Sequence, residues 1–222
     1  RCASNQSTHV VILRSTGKAF CAGHDLKQMQ NERNNSDKGL KYFNELFNLC
    51  SKVMIQIKNL PKPVIAEVQG VATAAGCQLV ATCDIAVASD IARFGVNGVN
   101  IGLFCSTPMV ALSRNIGRKK TFEMLVTGDF MTASEAKESG LINHVVSEDE
   151  LSNKTDELAS KISEKFKRVV KIGKKAFYEQ AEMKLENAYE YTAKIMAENM
   201  VLDETVEGIS AFIEKRTPKW VE

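Results

Sequence analysis

Long apolar runs, paired cysteines and an excess of either charge are missing from this sequence, and histidines are few. No stretch reaches the roughly 18 consecutive apolar residues that a membrane helix needs, so no membrane span is expected. Charge is nearly balanced, with 29 basic and 27 acidic residues for a net +2. No basic stripe interleaved with aromatics appears either, which argues against a nucleic-acid partner. The three histidines, His9, His24 and His144, are scattered and make no metal site. The six cysteines, Cys2, Cys21, Cys50, Cys77, Cys83 and Cys105, contain no CxxC pair. That disfavours zinc, and in a chain this long a disulfide framework too. Free thiols in a reducing compartment are the expectation. No internal repeat or low-complexity segment stands out. What is present, 222 residues with 44% hydrophobic and 25% charged, is an ordinary globular composition with enough length for a sizeable core.

Short buried-type strands alternate with helices in the first two thirds. His9 to Ser15, Val64 to Val68, Ile85 to Ala88 and Leu141 to Val146 read as strands. Apolar residues at Leu40, Phe43, Leu46, Phe47, Cys50, Val53, Met54 and Ile57 mark an amphipathic helix that Pro61 and Pro63 end. Residues 75–82 open a helix just after a glycine-bounded strand. Residues 107–115, 119–127 and 132–139 read as further helices, the last with a Thr132…Glu135 capping signal. Residues 28–39 read as a polar loop or frayed helix. The pattern predicts stacked β-β-α turns in an α/β core over residues 1–147 and a helical region over 148–222.

Two loops carry the chemistry: AFCAGHDL at 19–26 and GVATAAGCQL at 70–79. Both are built of Gly, Ala and Cys just before an element begins, so another molecule can approach the backbone closely. Each can offer one N–H to the same carbonyl oxygen. A pair of such donors stabilises an enolate or tetrahedral oxyanion, each worth about 3 kcal/mol in acyl-transfer enzymes.

These loops resemble the enoyl-CoA hydratase/isomerase family, the crotonase superfamily. The likeness runs through VVILRSTGKAFCAGHDL (10–26), KPVIAEVQG (62–70), AAGCQLVATCDIAVAS (74–89), the FG of ARFG (92–95), LVTGDFMTASEAKESGLINHVV (125–146) and AFIEKR (211–216). The resemblance implies a crotonase spiral of β-β-α turns with a C-terminal helical trimerisation region. It implies an acyl-CoA thioester as ligand, coenzyme A entering only as part of the substrate, and a homotrimer or dimer of trimers. The family's oxyanion donors fall on the backbone N–H of His24 and Ala75. Its coenzyme A contacts fall on Lys18, Ala22 and Leu26, with Phe212 and Lys215 reaching the phosphate from a neighbouring subunit. The compartment would be the cytoplasm in a bacterium and the mitochondrial matrix in a eukaryote. Family members also carry a strand hairpin and an Arg-Pro…Asn-Ala segment before the point where this sequence starts, so those N-terminal strands are expected to be absent here.

Two departures weigh against hydration. The family's two glutamates fall on Gln78 and Gly98, and residues 94–105 contain no Asp or Glu. Each general acid or base typically contributes about 10²–10⁴-fold. Gln78 can hydrogen-bond a water or a carbonyl but cannot ionise. The expectation is an acyl-CoA-binding protein that polarises the thioester and hydrates poorly. A non-catalytic acyl-CoA binder or regulatory protein is the alternative, and a purely structural oligomer a third reading. Asp25 reads as a helix cap, Asp84 as a structural junction residue and Glu67 as the exposed phase of its strand. Restoring Glu at both 78 and 98 is expected to return some hydratase activity.

Overall fold

The computed structural model describes residues 2–220. Contacts divide the chain into two compact units. One comprises residues 11–60 and 64–159; the other comprises residues 2–10, 61–63 and 160–220.

The larger unit holds both sheets. In order its elements are β1 (Val11–Leu13), β2 (Ala19–Cys21), α1 (Leu26–Glu32), α2 (Leu40–Asn59), β3 (Val64–Val68), β4 (Val71–Thr73), α3 (Ala75–Thr82), β5 (Ile85–Ser89), β6 (Arg93–Gly95), α4 (Pro108–Asn115), α5 (Arg118–Thr127), β7 (Met131–Thr132), α6 (Ala133–Glu138) and β8 (His144–Val146). α7 (Leu151–Ser163) follows. One sheet has the order β1-β3-β5-β8 and the other β2-β4-β6-β7. Each successive pair of strands therefore gives one strand to each sheet, which is the repeating β-β-α turn. All pairings in the first sheet are parallel; in the second only β6–β7 is antiparallel.

Interior parallel strands are covered on both faces, which is why β3 reads VIAEV without alternation and all five of its residues are buried. Glu67 corrects the sequence reading, because β3 has no exposed phase. Its carboxylate is buried and accepts from Arg14 at 3.0 Å and from the Ser152 hydroxyl at 3.2 Å. Asp84 accepts the Val64 N–H at 2.7 Å and so fixes the helix-to-strand junction. Asp25 caps α1, accepting from Lys27 N and Gln28 N, and Thr132 and Glu135 close a capping box on α6. The segment read as a polar loop or frayed helix is helical over residues 28–32, the end of α1. β2, β4, β6 and β7 carried no clear sequence signal, because runs of two or three residues are too short for a period to register. The core packs Phe94, Leu112, Val64, Val68, Val80 and Met124 among many alanines.

The smaller unit is mainly helical, with α8 (Lys167–Gln180), α9 (Leu185–Met200) and α10 (Asp203–Ile213). Trp220 packs on Phe166 with ring centroids 5.7 Å apart and donates to the Glu164 carbonyl. These helices leave Phe177, Leu185, Tyr189, Met196, Val201, Phe212 and Ile213 exposed.

Candidate active site

The two small-residue loops abut. A Cβ added at Gly76 would lie 2.0 Å from the Cys21 carbonyl oxygen, and one at Gly23 would lie 3.1 Å from Ala74 Cβ and 3.4 Å from Ala75 N. Only glycine at 76 lets the first turn of α3 sit against β2 at this distance. Gly23 has φ of 91°, and Ala74 takes the unfavourable φ of 51° with ψ of −118°. Such a non-glycine conformation costs of order 1–3 kcal/mol and tends to collect at functional sites. Here it ends β4 abruptly, with the Ala74 N–H held by the Gly95 carbonyl at 2.9 Å. Ala75 N–H then becomes the first orphan donor of α3. Among the described residues neither Ala75 N–H nor His24 N–H has an acceptor. Two free amides, one at the positive end of a helix, are thus presented by adjoining loops.

Helix α2 lies against these loops on one side. Its Phe47 meets the His24 ring edge-on at 5.6 Å, and one turn later the Cys50 sulfur is 4.0 Å from Gln78 Oε1. Gln78 is only 4% exposed. With its Oε1 facing the Cys50 thiol, its side-chain amide has no acceptor among the described residues and is a third free donor. Burial lowers the basicity of His24, so its ring is neutral around neutral pH. Burial raises the pKa of Cys50 and Cys105, and pushes Cys77 up to about 12, which keeps all three as thiols rather than nucleophilic thiolates. None of the six cysteines is joined in a disulfide in the described residues.

Gly98 is buried in a tight 3-10 turn over Asn97–Ile101. Its carbonyl accepts the Leu103 N–H at 2.9 Å. A Cβ there would meet the Leu103 carbonyl oxygen at 2.2 Å and Cys105 Sγ at 2.9 Å. The expectation that Glu at 78 and 98 restores the family's pair therefore needs correction. Position 98 does not merely lack an acid; the turn is closed over it. Beside it, Thr73 donates to Asn97 Oδ1 at 2.7 Å, which ties β4 to this turn. His24, Phe47, Cys50, Thr73, Gln78, Asn97 and Gly98 include no carboxylate.

Lys18 and Ala22 are exposed along the first loop, and Leu26 begins α1 with 54% of its surface exposed. Phe212 and Lys215 belong to the other unit; Phe212 is exposed on α10 and Lys215 follows it with φ of 56°. Sequence reasoning missed Phe47, Cys50 and Thr73 as site residues. The i, i+3 spacing of Phe47 and Cys50 was visible, but it read simply as the apolar face of an amphipathic helix.

A family model described as enoyl-CoA hydratase/isomerase matches residues 1–222, and the chain belongs to that family. Its fold is the crotonase fold. The enoyl-CoA hydratase structure from Mycobacterium smegmatis is 52% identical with a TM-score of 0.94, covering 99% of this chain and 83% of that one. The structure of human enoyl-CoA hydratase domain-containing protein 3 is 48% identical with a TM-score of 0.92, covering 98% and 84%. Mitochondrial enoyl-CoA hydratase domain-containing protein 3 of Xenopus laevis is 47% identical over 218 residues, covering 98% of this chain and 72% of the relative.

Proposed function

We propose that this protein binds acyl-CoA thioesters, polarises their carbonyl between the His24 and Ala75 amides, and does not hydrate enoyl-CoA efficiently. The observation that carries this reading is the pair of unpartnered amides on two abutting loops, with Gln78 and Gly98 beside them where an acid/base pair would be needed. Two such donors stabilise a developing oxyanion, but neither can move a proton to or from the acyl Cα or Cβ. The Gln78 amide is a further donor for the carbonyl or a bound water. Lys18, Ala22 and Leu26 are the candidate contacts for coenzyme A along the first loop. Phe212 and Lys215 are its candidates from a neighbouring subunit. The exposed apolar side chains of α8 to α10 support a homotrimer or dimer of trimers. Mitochondrial naming of the vertebrate relatives supports the mitochondrial matrix for a eukaryotic chain.

The decisive experiment follows crotonyl-CoA absorbance and, in parallel, acyl-CoA binding by calorimetry. Saturable binding with hydration far below that of ordinary hydratases is expected. Turnover at ordinary hydratase rates would overturn the reading. Binding without turnover in a wider screen of thioester reactions would favour a non-catalytic acyl-CoA binder, the second reading that the missing carboxylates support.

A further inference from the structure

In the unit of residues 2–10, 61–63 and 160–220, a cleft of about 310 Å³ opens between the N-terminal segment, the Pro61–Pro63 link and the start of α8. Its lining holds Lys62, Lys165, Lys167, Arg168 and Lys171 and no carboxylate. Lys62 is occupied by the Cys2 and Asn5 carbonyls, and Arg168 reaches Glu204 at 3.8 Å. Lys165, Lys167 and Lys171 have no carboxylate partner among the described residues. His9 also borders this cleft. α8 adds its positive end, because no side chain caps it at Phe166 and the Lys167 and Arg168 amides have no described acceptor.

We infer that this cleft is a binding site for a small phosphate-bearing anion. Three unpaired ammonium groups on one wall repel each other, and an anion between them removes that repulsion. A helix N-terminus with free amides is suited to phosphate oxygens. A phosphate monoester carries about −1.5 to −2 charge at pH 7 and three acceptor oxygens. It can therefore face the lysines and the α8 amides together, whereas a single carboxylate leaves most of the cations uncompensated. The same chemistry is available from a free phosphomonoester or from a phosphorylated lipid headgroup. None of these residues belongs to the two-loop site, so the inference stands apart from the acyl-CoA reading.

The test is calorimetry of the whole chain at fixed ionic strength with inorganic phosphate and with glycerol 3-phosphate. It is paired with flotation on phosphatidylcholine vesicles with and without phosphatidic acid. Saturable phosphate binding is expected. The variant Lys165→Gln/Lys167→Gln/Lys171→Gln, whose positions lie outside the buried core, should weaken it by about tenfold or more. Lys119→Gln/Lys137→Gln/Lys194→Gln, which removes equal charge elsewhere, should bind normally. Tighter binding of glycerol 3-phosphate than of phosphate points to a free phosphomonoester. Binding of phosphatidic acid vesicles alone, lost in the first variant, points to a lipid headgroup. Equal binding by both variants, or no response to any of the three probes, overturns the inference.

Discussion

Replacing Gly98 by alanine tests whether the turn is closed over the site. The new methyl carbon would lie 2.2 Å from the Leu103 carbonyl oxygen, well inside contact distance, and 2.9 Å from the Cys105 sulfur. The sulfur is the tip of a side chain and can give. The carbonyl is backbone, and the Leu103 N–H is already tied to the Gly98 carbonyl at 2.9 Å, so the turn cannot open without losing that bond. Overpacking a tight site costs about 1–3 kcal/mol, and a backbone obstacle puts Gly98→Ala at the upper end, about 3 kcal/mol. For a chain of this size each kcal/mol lowers the melting temperature by about 2–4 °C, so a fall of about 6–12 °C is expected. Thermal unfolding and a urea titration check it, the latter through a lower midpoint at unchanged slope. Adding Cys105→Ala should recover only a minor part, because the carbonyl remains. An unchanged melting temperature would refute the reasoning. So would a folded Gly98→Glu variant that hydrates crotonyl-CoA, since either result means position 98 has room for a side chain.

Other consequences are equally concrete. Gly76→Ala would put a methyl 2.0 Å from the Cys21 carbonyl and force the two loops apart; calorimetry should show loss of acyl-CoA binding, while Gly173→Ala, with open space around it, binds normally. Arg14→Met strips the buried Glu67 carboxylate of its cation. Breaking a fully buried pair costs about 3–5 kcal/mol, and the half-exposure of Arg14 reduces this to about 2 kcal/mol. The urea midpoint should recover when Glu67→Gln is added. Ala74→Gly relieves the strained φ of 51°. It should raise stability by roughly 1 kcal/mol, the relief exceeding the entropy that glycine loses on folding. The Arg216 guanidinium and the Lys219 N–H hold the Glu207 carboxyl down at about 2 against an ordinary 4.5. The folded state thus favours its ionised form, so its stabilisation is complete above pH 4.5 and is lost as pH falls towards 2. Fluorescence of Trp220, the only tryptophan, should report release of this terminal segment over that window, and Glu207→Gln should show release already at neutral pH.

Local signals in the sequence were sufficient for α2, α3, β3 and the caps at Asp25 and Thr132. An amphipathic period over 20 residues, a continuous apolar run and a capping motif are each written within a few turns of chain. The two small-residue loops were legible for the same reason, and Gln78 and Gly98 could be named at once, since residue identity needs no fold to be read. Tertiary structure decided the rest. Glu67 looked like the outward phase of a strand until neighbours on both sides enclosed β3. Phe47 and Cys50 looked like ordinary apolar positions of an amphipathic helix until α2 came to rest against His24 and Gln78. Gly98 looked like a vacant acid position until the Leu103 carbonyl was found 2.2 Å from where its Cβ would stand. Those facts depend on which distant segments come within van der Waals reach, and that is fixed by packing of the whole core, which no short window of sequence contains.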